Sequence, residues 1–106
     1  MGPKSALIER RVGEFAKRVH ETYPDTKMYL FGSRARGDYL KSSDYDFIII
    51  SGHFEGQDFL ERITEVLRRT KVNFAAEILC YTPAEFAKKR KQIGTVQSAM
   101  KDAIPL

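Results

Sequence analysis

At 106 residues, with 42% hydrophobic and 30% charged residues and a formal net charge of +4, the chain has room for one compact domain with a modest core and not for two. No stretch approaches the roughly 20 consecutive apolar residues that span a bilayer, and Met1-Gly2-Pro3-Lys4-Ser5 lacks the apolar run of a secretory signal. A single cysteine, Cys80, excludes an internal disulfide framework, so the expectation is a cytoplasmic protein without a membrane segment.

From Ser5 to about Glu21, Leu7, Ile8, Val12, Phe15, Ala16 and Val19 recur at helical spacing between charged residues, which predicts an amphipathic helix ended by Tyr23-Pro24-Asp25. Met28 to Phe31 is an apolar run too short for a helix and stopped by Gly32-Ser33, the pattern of a buried strand entering a glycine turn. Residues 33–40 start a helical turn before the loop Lys41-Ser42-Ser43, and Asp46 to Ser51 forms a second strand. After a loop over 52–56, Phe59, Leu60, Ile63, Val66 and Leu67 mark the buried stripe of a helix that Asp58 caps; Glu61, Arg62, Glu65, Arg68 and Arg69 take its other face. Val72 to Tyr81 reads as a third strand with Glu77 in its middle. Thr82-Pro83-Ala84-Glu85 is a capping box with proline at the first helical position, and a last helical segment carrying Ile93, Val96, Met100 and Ile104 follows around Gly94.

The order α, β, short turn, β, α, β, α, α predicts a small mixed α/β (α+β) layer structure, with helices packed on a sheet of at least three strands and one domain over 1–106. Val96 and Met100 are expected in the core. Ile104 is left between the core and a contact with a second copy, which keeps a homo-oligomer open. Cys80, flanked by Leu79 and Tyr81, reads as a small buried hydrophobe. His20 and His53 have no zinc-type spacing. The basic run Lys88-Lys89-Arg90-Lys91 falls late in a helix, where cations complement the helix dipole; a solvated face is expected there, not a nucleic-acid partner.

Against this ordinary background stands Asp44-Tyr45-Asp46-Phe47-Ile48-Ile49-Ile50. A strand alternates its side chains with period two, so Asp44 and Asp46 share a face at its start while the isoleucines anchor it. Like charges on one face repel, and the arrangement is unfavourable unless a cation or an arginine compensates it. Paired carboxylates suit a divalent metal. Upstream, Gly32-Ser33 at a strand-to-helix transition offers backbone N–H groups, a hydroxyl and room for a phosphate. If the strand bearing Glu77 neighbours the strand bearing the aspartates, three carboxylates converge. Arg34 and Arg36 have two readings. Either one of them meets a triphosphate or the aspartates, or Arg34 is solvated and Arg36 ties the loop to the sheet.

Gly32-Ser33-x-Ala35-Arg36-Gly37, followed by Ser43-Asp44-x-Asp46 before an apolar strand, resembles the signature of the minimal nucleotidyltransferases, small members of the DNA polymerase beta-like nucleotidyltransferase superfamily. Glu77-Ile78-Leu79-Cys80-Tyr81-Thr82-Pro83 resembles the later strand that carries the family's third acidic residue, commonly Asp. The resemblance implies the superfamily's fold and a transfer, assisted by two Mg2+ ions, of a nucleoside monophosphate (AMP from ATP) to a hydroxyl. By position, Gly32, Ser33 and Arg36 would bind the nucleotide; Asp44, Asp46 and Glu77 would be both the catalytic and the metal-holding residues. It also implies a HEPN-domain toxin as partner and acceptor. The alternative is an antitoxin or regulatory subunit that binds nucleotide but acts by protein contact.

Overall fold

The computed structural model describes residues 9–106. The predicted helix start at Ser5, with Leu7 and Ile8, lies outside the described residues. Helix α1 spans Arg10–Thr22 and buries Val12, Phe15, Ala16 and Val19, the stripe its periodicity requires. Strand β1 (Lys27–Phe31), the single helical turn α2 (Ser33–Arg36) and strand β2 (Tyr45–Ile50) follow. A 3-10 turn over Gly52–Phe54 leads to α3 (Phe59–Thr70), β3 (Ala76–Tyr81), α4 (Pro83–Lys89), α5 (Thr95–Ala99) and a two-residue strand β4 (Ile104–Pro105).

The strands form one sheet in the order β3-β2-β1-β4. β1 is antiparallel to both β2 and β4, whereas β2 and β3 run parallel with α3 as their crossover, the connection a parallel pair needs. Alternation along the strands divides the core in two. Met28, Leu30, Tyr45, Phe47, Ile49, Ile78 and Cys80 face α1 and α3, where they join Val12, Phe15, Val19 and Val66. Ile48 and Ile50 face the other way, against Phe86 of α4 and Val96 of α5, with Tyr29, Phe31, Leu79 and Tyr81 beside them. Asp46 and Glu77 belong by parity to this second face, whereas Asp44, expected to share it at the start of the strand, precedes β2 and is not placed by the alternation.

Both predicted helix caps are present. Asp58 accepts from the Glu61 N–H at 3.0 Å, and Thr82 accepts from the Glu85 N–H at 3.2 Å; each is closed reciprocally by the glutamate. The face of α3 differs from its expected one. Leu60 is 73% exposed and Arg62 is buried. Periodicity could not anticipate this because the cost of burying a guanidinium depends on its partners. Arg62 donates to Gln57 O at 2.9 Å, to Cys80 O at 3.1 Å and to both Glu85 carboxylate oxygens at 2.6 and 3.1 Å.

The C-terminal segment differs as well. Ile93 lies fully in solvent before α5, and Ile104 is not helical; it pairs with Leu30 as an edge strand and is buried in the larger core. Pro105 next to it cannot continue a helix. Val72 and Phe74 precede β3 and pack on the larger core, so the third strand begins at Ala76 and not at Val72. Among the described residues, no helix is long and apolar enough to cross a membrane.

Candidate functional site

The register of β2 with its two neighbours aligns Phe31, Asp46 and Glu77 in one row across the sheet. That row lies at the entry of β2, one step beyond the isoleucines covered by α4 and α5. Asp46 is half-buried, Glu77 is exposed, and Asp44 is exposed just before the strand begins. Asp46 has its carboxyl pushed up to about 6, first by burial, then by hydrogen bonding with Glu77 and by the negative charge of Glu77 and Asp44; Arg36 opposes the shift. The sequence expectation that the two acid-bearing strands are neighbours therefore holds, and their carboxylates sense one another.

Among the described residues, no three acidic, histidine or cysteine side chains are drawn close enough together to hold a metal ion. The donor chemistry nevertheless fits a hard divalent cation. Asp46 carries an unfavourable charge that its neighbours aggravate, and the row offers only carboxylate oxygens, the ligands Mg2+ takes. Asp44, Asp46 and Glu77 are the residues that would hold it.

Gly32 adjoins this row. Its backbone is in the left-handed region at φ 76°, and a Cβ placed there would stand 2.5 Å from Asp46 Oδ2. Only glycine allows the turn and the half-buried carboxylate to approach so closely. The N–H groups of Ala35 and Arg36 bond back to Gly32 O, and that of Gly37 to Ser33 O. A one-turn helix leaves its first N–H groups, those of Ser33 and Arg34, without partners inside the turn, where an anion is the natural acceptor. An open cleft of about 440 Å³ lies against the turn, lined by Phe31, Gly32 and Arg36 on one side and by Thr95, Ser98 and Asp102 on the other. The cleft thus touches Gly32 and Arg36 but not Ser33. Of the residues around α5 the sequence points to Val96 and Met100 for packing, but nothing in it marks Thr95, Ser98 and Asp102 as cleft residues beyond the glycine before Thr95, which hints at a turn.

The second of the two readings for the arginines is reversed: Arg34 is buried, not solvated, and Arg36 is exposed, bonds Asp38 at 3.2 Å and borders the cleft, where the first reading would have one of the arginines meet a triphosphate. The reason is helical geometry, since the first residues of a turn can point back under the loop that follows. Cys80 is fully buried, and burial pushes its thiol up to about 12, in keeping with a packing role. His20 approaches Leu106 O at 3.0 Å and His53 pairs with Glu65 at 2.9 Å, each away from the acidic row.

A family model described as a nucleotidyltransferase domain matches residues 12–102. Among solved structures, the chain is similar to a protein of Sulfolobus solfataricus provisionally assigned as a nucleotidyltransferase, with a TM-score of 0.66 and 23% identity over 99% of this chain and 87% of that one. It is similar to a second protein with the same provisional assignment, with a TM-score of 0.56 and 25% identity over 78% and 90% of the two chains. A third likeness is to BolA1 from Arabidopsis thaliana, with a TM-score of 0.58 and 18% identity over 74% and 98%. The first and third of these are likenesses of fold alone. No curated protein sequence matches the chain.

Proposed function

The chain belongs to the nucleotidyltransferase domain family, and from that premise we propose that it transfers AMP from ATP, with Mg2+, to a hydroxyl on a partner protein in the cytoplasm, a HEPN-domain toxin being the partner its motif suggests. The observation that carries this reading is the row Phe31-Asp46-Glu77 with the α-carbon of Gly32 pressed on Asp46. It sets the glycine turn beside paired carboxylates, the combination that would serve phosphoryl-type chemistry.

Each residue has a role in this scheme. Gly32 lets the Asp46 carboxylate lie against the turn, the Ser33 and Arg34 N–H groups and the Ser33 hydroxyl donate to the phosphate oxygens, and the exposed Arg36 guanidinium offsets their charge. Asp44, Asp46 and Glu77 would hold the metal, which when bound polarises the phosphoryl oxygens and steadies the pyrophosphate that leaves. By the family pattern Glu77 would ligate the metal nearer the acceptor and help its hydroxyl lose a proton, and the exposure of Glu77 leaves it open to that acceptor. The bond from that oxygen to the α-phosphorus forms as the bond to the β-phosphate oxygen breaks.

The test is incubation with ATP labelled at the α-phosphate, Mg2+ and a candidate HEPN-domain partner. Label on the partner that disappears in the Asp44→Ala/Asp46→Ala variant is the expected result. Neutralisation of the partner that survives in that variant, without label, would instead make the chain a nucleotide-binding module that acts by contact.

A further inference from the structure

Asp44 stands outside the strand that orients Asp46, on an exposed stretch between β2 and a loop, so something else must fix it. The buried guanidinium of Arg34 brackets it on both sides. Its Nε donates to Ser43 O at 3.2 Å, and its Nη2 donates to Lys41 O at 3.0 Å and Ser43 O at 3.1 Å. The same group lies between two aromatic rings, 4.1 Å from the centre of Tyr39 and 4.2 Å from that of Tyr45. Its remaining nitrogen reaches Glu9 Oε1 at 3.6 Å. Residues 43 and 45 are the chain neighbours of Asp44, and Arg34 holds one by its carbonyl and the other by its ring. Tyr45 is itself anchored, its hydroxyl accepting from Arg11 at 3.3 Å and its ring meeting Phe74 edge-on at 5.2 Å.

We infer that Arg34 is a positioning residue: from inside the phosphate-binding turn it clamps the 39–45 loop and sets where Asp44 stands relative to Ser33. The inference rests on the reading of Asp44 as a metal-holding residue. Its physical content is that one side chain rigidly couples the nucleotide-binding turn to the first carboxylate. Lysine cannot replace it, because a point-like ammonium neither forks to two carbonyls nor lies flat between two rings. A site displaced by about 1 Å loses much of its rate, which makes such a clamp matter for turnover and not only for stability.

Two measurements test it. Hydrogen exchange on the metal-free protein compares wild type with Arg34→Lys; amides over 40–45 are expected to exchange about tenfold faster, with those of β1 and α1 unchanged. Tyr39→Leu, which removes one ring and leaves the hydrogen bonds, is expected to move the same amides less, and it serves if Arg34→Lys does not fold. Mn2+ binding, followed by electron spin resonance, then compares Arg34→Lys, Asp44→Ala and the double variant. About tenfold weaker binding in Arg34→Lys, with no further loss when Asp44 is already absent, is the expected result. Unchanged exchange over 40–45, or losses that add in the double variant, overturns the inference. A wild type that takes up no Mn2+ overturns the metal reading of the site, and the exchange result alone then decides whether the clamp exists.

Discussion

A methyl group on Gly32 would collide with Asp46 while also straining a backbone at φ 76°. Gly32→Ala is therefore expected to lower stability by about 1–3 kcal/mol, read by urea unfolding, and to weaken nucleotide binding as Asp46 is pushed aside. Asp46 acts in the opposite sense on stability. Its folded-state carboxyl titrates near 6 against an ordinary value of 3.8, so the native state holds this proton more tightly than the unfolded chain. Stability from this group is complete below about 4 and is lost as pH rises through 6. In metal-free buffer, Asp46→Asn should be more stable than wild type at pH 7.5 and lose that advantage by pH 4, although it loses transfer activity. Equal unfolding midpoints at pH 7.5 would contradict the assigned environment. At this scale Asp46 and Glu77 are legible in the sequence because period-two alternation fixes their face, whereas Asp44 lies before β2, where that rule no longer holds. The role of Arg34 is not, because nothing in Gly32-Ser33-Arg34 says that the side chain turns under residues 41–45.

Elements are held by contacts that span them. Arg62 on α3 joins the carbonyl of Cys80 on β3 to Glu85, the residue that also closes the α4 capping box. Removing the guanidinium leaves a buried carbonyl and a half-exposed carboxylate without their partner. Arg62→Met is expected to cost about 2–3 kcal/mol in denaturant unfolding, more than Leu60→Ser on the exposed side of the same helix. Sequence periodicity ranks those two residues the other way round, since it weighs side-chain polarity alone. Capping boxes fare better, because Asp58 with Glu61 and Thr82 with Glu85 are local patterns whose partners lie within one turn. Ile104 shows the limit from the other side: its apolar spacing suits a helix, and only the open edge of β1 makes it a strand.

Across the whole molecule, the sequence yields the layer architecture and the strands that carry Asp46 and Glu77; periodicity does not give strand order, and only the prospect of converging carboxylates suggests β2 beside β3. It does not yield the position of β4 or the cleft beside α5, both of which arise only when the chain closes on itself. The parallel pairing of β2 and β3 has one more effect, on the order in which the molecule comes into being. β1 and β2 are consecutive strands, whereas Asp46 and Glu77 meet only after the chain has closed a long loop and docked α3 as the crossover. The β1–β2 pair by itself brings Gly32 to Asp46, and the β2–β3 pair adds Glu77. Glu77 thus reaches Gly32 and Asp46 only through contacts of longer sequence separation than those of the β1–β2 pair, and so of larger loop-closure cost.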